Sequence, residues 1–271
     1  MTADQPSDPV TRSRARSACP RTTRAICGSP SVTNFPLIFS CRDDWLCSTL
    51  GKVDAAAVVA CQPARSFPTY KGQRNYPGLL WTATTGSLVG YESLLERDRL
   101  WLADFDPAVR AISGQPFWLT GRDGSTLRRH VPDFLLQLDD GHYLVVDVKP
   151  AALLDEPKVA EVLSWTGRMC AGKGWGYEVW SGADPTLLRN IRFLGGGRRP
   201  QFVDEDAVVK VDAAAQSGMT IAEVEHAAGV DRRDARAAVL RLLWTGAWTT
   251  DLLQPLSDRS VVARRTESIS K

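Results

Sequence analysis

The 271-residue sequence has no long hydrophobic run, no excess of charge of one sign, no paired-cysteine motif and few histidines. Its longest uninterrupted apolar stretch, Ala55 to Cys61, is far short of the roughly 20 residues a membrane helix needs, so no membrane contact is expected. Arg12, Arg14, Arg16, Arg21 and Arg24 stand among Ser, Thr and Pro near the start. No apolar block succeeds them as it would in a signal peptide, which points to the cytoplasm. Lys and Arg number 33 against 31 Asp and Glu, a net charge of +2. Any acidic partner must therefore be met by local basic patches, not by a whole-chain field. Cys19, Cys27, Cys41, Cys47 and Cys61 crowd the beginning of the chain and only Cys170 lies beyond; His130, His142 and His226 are too scattered to complete a zinc tetrad. The cysteines read as reduced thiols of an intracellular protein, with disulfides or a metal as the lesser alternative. What is present, 44% hydrophobic and 24% charged residues, is the composition of a folded soluble chain. The length suggests about two domains.

Residues 1–64 differ in texture from the remainder of the chain: a polar Arg/Ser/Thr/Pro opening, then short apolar fragments without a sustained period, read as a poorly ordered leader. The stretch from Ser66 to Gly78 interleaves aromatic residues and glycines with Lys71 and Arg74. Such a mixture suits a phosphate backbone or splayed bases, and equally suits packing over a domain edge. Leu79 to Ala83 reads as a strand, and Tyr91 to Asp104 as a helix that Asp106-Pro107 stops. Strands are expected at Gln115–Thr120, His130–Leu138 and His142–Lys149, then a helix at Pro157–Ala171 and a strand at Tyr177–Trp180. That order gives an α/β fold, a mixed sheet with helices on its faces.

A helix at Pro185–Phe193 is followed by a Gly/Arg stretch, 196–201, of linker type. Beyond it, 202–271 reads as a small winged-helix-like domain with a disordered tail. A helix spans Ala207–Ala215, a second starts with a capping box at Thr220-Ile221-Ala222-Glu223, and Asp231 caps a third that carries Arg232, Arg233 and Arg236. Trp248–Leu252 and Ser260–Val262 would form the wing. The third helix then holds the recognition position for DNA, although small helical bundles share this spacing without binding it.

The chemistry concentrates in Val131-Pro132-Asp133-Phe134 and Val145-Val146-Asp147-Val148-Lys149. Asp139-Asp140-Gly141 between them suits a three-residue hairpin loop closed by a left-handed glycine. With that loop Leu138 faces His142 and Asp133 faces Asp147; a two-residue loop would turn Asp133 away. Opposed carboxylates repel and need a cation, for which hard oxygen ligands suit Mg²⁺ or Mn²⁺. Lys149 shares the face of Asp147 and is placed to stabilise charge on a phosphate. The plainer reading is an ion pair between Asp133 and Lys149 on a solvated sheet face. Against it, Tyr143 to Val146 is apolar at consecutive positions like a central strand, and charges emerging there are costly unless used.

Pro132-Asp133, thirteen residues, then Asp147-Val148-Lys149 resembles the PD-(D/E)XK nuclease motif. Two helical glutamates, Glu92 and Glu96, precede it. Ser93-Leu94-Leu95-Glu96, with Phe105-Asp106-Pro107 and Gln115-Pro116 downstream, looks like TnsA, the endonuclease subunit of heteromeric transposases. That pattern selects Glu96 and covers about residues 65–195. The resemblance implies a restriction-endonuclease-like core (αβββαβ) and a metal-dependent DNA endonuclease acting at transposon ends. Glu96, Asp133, Asp147 and Lys149 would be catalytic; Asp133, Asp147, Glu96 and the Val148 carbonyl would hold Mg²⁺ or Mn²⁺, and Gln115 would support them. Arg128, Arg129 and His130, just before the Asp133 strand, are placed for phosphate contacts, and Arg128 and Arg129 join Lys71, Arg74 and the three helix arginines as DNA-binding candidates. The implied partners are double-stranded DNA, a DDE-type transposase and an AAA+ ATPase. A stand-alone restriction or repair nuclease, and a non-catalytic DNA-binding regulator, are the alternatives.

Overall fold

The hairpin loop sets the register on which the site depends. In the computed structural model, which describes residues 34–41, 44–65 and 75–265, Gly141 takes φ +84°. Phe134 pairs with Val146, Leu135 with Val145 and Leu136 with Leu144. This is the pairing a three-residue loop predicts, and it carries Asp133 to the level of Asp147.

Along the chain, β1 (Pro36–Cys41) and β2 (Asp44–Thr49) form a hairpin, followed by the short α1 (Ala55–Val59). A second hairpin joins β3 (Gly78–Thr82) to β4 (Ser87–Tyr91) and leads into α2 (Leu94–Phe105). Then come β5 (Val109–Gly114), β6 (Trp118–Asp123), β7 (Thr126–His130), β8 (Phe134–Leu138) and β9 (Tyr143–Val148). The long α3 (Pro157–Lys173) returns the chain to β10 (Gly176–Trp180). The central sheet has the order β10-β9-β8-β5, with β10 parallel to β9 and the other pairs antiparallel. Helix, three strands, helix, strand is the expected order and a nuclease-like mixed α/β arrangement; β6 and β7 are inserted between the first two strands.

Strand alternation divides the core by face. Phe134, Leu136, Val146 and Val148 pack with Leu100 and Ala103 of α2. Leu135 and Val145 pack with Trp165, Met169 and Cys170 of α3. Asp133 and Asp147 fall in step with Leu135 and Val145, so both belong to the α3 face.

Several expectations are corrected. The leader does not extend to residue 64, because residues 36–49 supply two strands, with β1 pairing β6 in a second sheet of order β2-β1-β6-β7. Leu37, Phe39 and Val58 are buried with Phe117 and Leu119. Each fragment is short and finds its partner far along the chain, so no local period betrays it. Residues 1–33 lie outside the described residues, as does the tail beyond 265. The first sheet strand is β5, not Gln115–Thr120. Gly114 ends it, lying so close to Gly90 that a Cβ would sit 2.7 Å from the Gly90 carbonyl oxygen. Gln115, at φ +46°, then turns the chain toward the second sheet. Cys41 and Cys61 are joined as a disulfide, in place of two reduced thiols.

Beyond β10, α4 (Pro185–Leu194), α5 (Glu205–Ala214), α6 (Ile221–Ala227) and α7 (Arg232–Trp244) precede a two-stranded ribbon of β11 (Trp248–Thr249) and β12 (Ala263–Arg264). The capping box at Thr220 and Glu223 and the Asp231 cap form as expected. Residues 196–201 are not a free linker. They run through 3-10 turns with Gly195 and Gly197 buried, and Gly197 lies against the backbone of α7. Trp101 of α2 meets Trp244 of α7 edge-on at 6.2 Å, and the described residues belong to one compact unit. No helix among them is long and apolar enough to cross a membrane.

Candidate active site

Asp133 stands just before β8, where its main chain is fixed from both sides. Its N–H donates to Val146 at 3.1 Å and its carbonyl accepts from Gln115 at 2.8 Å. Its Oδ2 accepts the Val148 N–H at 2.7 Å. Lys149 Nζ lies 3.7 Å from the same oxygen. Burial holds the Asp133 carboxyl above the usual range; Lys149 pulls it down and Asp147 pushes it up.

Glu96 enters from the first turn of α2. Ser93 caps the helix by accepting the Glu96 N–H at 3.1 Å, and its hydroxyl donates to Glu96 Oε1 at 2.8 Å. The Glu92 N–H donates to Oε2 at 2.7 Å. These bonds orient a carboxyl that is 8% exposed. Burial first, and the charge of Asp133 second, push it up to about 7.

Asp147 is fully buried. His130 Nε2 lies 2.8 and 2.9 Å from its two oxygens, and the Tyr177 hydroxyl donates to Oδ2 at 2.6 Å. Burial, and then the charge of Asp147, push the Tyr177 phenol up, so it remains a donor. His130 thus braces a carboxylate where a phosphate contact was expected. Tyr177 was not foreseen. Its signal was the two-residue period of β10, which places it on the face of Val145 and Asp147.

Glu96, His130, Asp133 and Lys149 open on one cleft of about 500 Å³, together with Arg65, Arg129 and Lys158. Asp147 does not line it and is joined to it through His130. Among the described residues no three His, Cys, Asp or Glu side chains are already gathered as a metal-binding group. The donor set nevertheless fits a hard divalent cation, because Glu96 and Asp133 are desolvated carboxyls that repel each other. The oxygens of Asp147 are held by His130 and Tyr177.

Of the expected DNA contacts, Arg129 lines the cleft with its guanidinium 3.9 Å from the Trp118 ring centre. Arg128 instead pairs with Asp123 at 2.7 Å and Glu161 at 2.9 Å. On α7, Arg232 and Arg233 are exposed, Arg232 lying 3.6 Å from Asp258, whereas Arg236 is half-buried and paired with Glu225 and Asp258. Lys71 and Arg74 lie outside the described residues. Gln115 is buried and accepts from Arg65 Nε at 3.0 Å. Arg65 was missed, since a lone arginine at the end of an apparent leader carries no pattern.

A mixed sheet that carries an aspartate pair and a D-x-K lysine beside a glutamate-bearing helix is a nuclease-like arrangement. Residues 106–182 match the family model for the TnsA-like endonuclease N terminal. The match makes this stretch similar to a TnsA-like endonuclease N-terminal domain over less than half of the chain. It contains Asp133, Asp147 and Lys149 and stops short of Glu96 and the C-terminal helices. No curated protein matches the chain.

Proposed function

We propose that this chain is a metal-dependent DNA endonuclease that hydrolyses phosphodiester bonds at transposon ends as a subunit of a heteromeric transposase. The observation that carries the reading is the convergence of Glu96, Asp133 and Lys149 on one cleft, with Asp147 joined to it through His130, inside a chain whose segment 106–182 matches a TnsA-like endonuclease. Asp133 and Glu96, with Asp147 and the Val148 carbonyl, would hold Mg²⁺ or Mn²⁺. Bound there, the cation would polarise the scissile phosphate and lower the pKa of a water. Lys149 offsets charge developing on the phosphate and orients the attacking water toward it. Glu96, held by Ser93 and Glu92, is oriented toward the cation and the water.

A DDE-type transposase and an AAA+ ATPase are the partners in this reading, and the C-terminal helices with their ribbon are a winged-helix-like module for DNA or partner docking. The near-neutral charge supports dependence on such partners. The test is plasmid nicking with Mg²⁺, by the chain alone and with a DDE-type transposase and an AAA+ ATPase added. Nicking should require the divalent ion and disappear in Asp133→Ala and Lys149→Ala. Metal-dependent cleavage without any partner would favour a stand-alone nuclease. Absence of cleavage in every combination would leave a DNA-binding regulator and end the enzymatic reading.

A further inference from the structure

One cation of the cleft has no role in the chemistry above, yet its position is built from both sides. Arg65 comes after the second sheet's hairpin and α1, and its guanidinium reaches the cleft that holds Glu96, Asp133 and Lys149. Its Nε donates to Gln115 Oε1 at 3.0 Å, and its Nη2 pairs with Glu92. The preceding Ala64 donates its N–H to the Gln115 carbonyl at 2.7 Å. Gln115 therefore grips this segment through main chain and side chain together.

The gripping residue is itself under constraint. Gln115 is 1% exposed, and φ +46° makes it the one non-glycine residue with positive φ among the described residues. A side-chain-bearing residue stays in that region only where its surroundings impose it. Here its N–H is bound to the Asp133 carbonyl while its amide oxygen is bound to Arg65. On the other side, Glu92 pairs with Arg65 and gives its N–H to Glu96. The guanidinium is thus tied, one residue removed, to both acids that face the cleft. Its Nη1 edge takes no partner among the described residues.

We propose that Arg65 is a phosphate-binding residue for the DNA backbone in this cleft, and that Gln115 and Glu92 are the residues that position it; the proposal rests on the nuclease reading of the same cleft. With Nε held by Gln115 and Nη2 by Glu92, the Nη1 N–H groups are the ones left to donate charge-assisted hydrogen bonds to a phosphate oxygen. Lys158 and Lys149 line the same cleft, so a strand crossing it meets cations beyond Arg65. The contact is to backbone and carries no sequence preference of its own.

The test uses the full chain, a short DNA duplex and supercoiled plasmid. Duplex binding is measured by fluorescence anisotropy over a series of NaCl concentrations, and nicking is measured with Mg²⁺. Arg65→Ala should weaken binding by about ten-fold and reduce the slope of log K against log salt by about 0.9, the signature of one lost phosphate contact. Gln115→Met and Arg65→Lys keep the charge but lose the grip, so binding should weaken by a few-fold with the wild-type slope. These two variants also serve if Arg65→Ala fails to fold. Wild-type slope and affinity in an Arg65→Ala protein that melts like wild type would overturn the proposal while leaving the nuclease reading intact. A wild-type chain that neither binds nor nicks DNA with its partners would overturn both.

Discussion

Glu96→Gln should make the protein more stable and inactive, and the gain should depend on pH in a way the structure fixes. Glu96 has its carboxyl pushed from an ordinary 4.5 up to about 7 by burial and by Asp133. Between those values the native protein keeps a proton that the unfolded chain has released. Stability is therefore fully present below pH 4.5 and falls as pH rises through about 7. At 1.36 kcal/mol per pH unit the loss totals about 3 kcal/mol, most of it between pH 5 and pH 8. Glutamine cannot ionise, and its amide can still accept the Glu92 N–H and donate to Ser93, replacing the contacts the carboxyl makes.

Urea denaturation of wild type and Glu96→Gln should give nearly equal stabilities at about pH 4, below the ordinary 4.5. At pH 8 the variant should be ahead by about 3 kcal/mol, which is about 5–10 °C in Tm for a unit of this size. Mg²⁺ should close part of the pH 8 gap by binding the native wild type. A variant no more stable than wild type at pH 8, or a gap that ignores pH, would refute the idea that the cleft carries uncompensated buried charge.

Three further perturbations separate structural from functional roles. Tyr177→Phe removes the donor 2.6 Å from Asp147 Oδ2 and should cost about 2 kcal/mol in urea denaturation; no loss would mean His130 alone satisfies Asp147. Gly197→Ala would set a Cβ 2.4 Å from the Arg241 backbone nitrogen; since only backbone movement relieves it, Tm should fall by an amount equivalent to about 3 kcal/mol, and an unchanged Tm would contradict the packing against α7. Arg236→Ala should destabilise by about 2–3 kcal/mol, because it strands the buried Glu225, and should leave the salt slope of DNA binding unchanged; a reduced slope would restore Arg236 as a DNA contact.

Legibility of the fold tracked the range of the interactions. Asp139-Asp140-Gly141 fixed a register because a left-handed glycine closes a loop of one length, and every pair of β8 and β9 derives from it. Thr220 with Glu223, and Asp231, marked helix starts because caps act within three residues. Residues 36–64 stayed hidden because β1 is completed by β6, remote in sequence. β5 was missed because Arg110, Ser113 and Gly114 break its alternation, and Gly114 is there for its close approach to Gly90. Glu96, Asp133, Asp147 and Lys149 were legible by motif. Their supports come from other strands and segments: Tyr177 is signalled only by the two-residue period of β10, and Arg65 has no local signature.

The same division explains how a chain of net charge +2 can suit a nucleic-acid enzyme. Arg128 is held by Asp123 and Glu161, and Arg236 by Glu225 and Asp258, so these arginines stabilise the fold and add little to an external field. The cations on the cleft, Arg65, Arg129, Lys149 and Lys158, stand among the acids that the proposed chemistry needs, Arg65 paired with Glu92 and Lys149 3.7 Å from Asp133, but they face the cleft itself. Attraction for a phosphate backbone is therefore local, short in range at physiological salt, and largest where the cut would be made. A cleft of that kind holds DNA already delivered to it far better than it captures DNA from solution, and delivery is what the proposed partner subunits would supply.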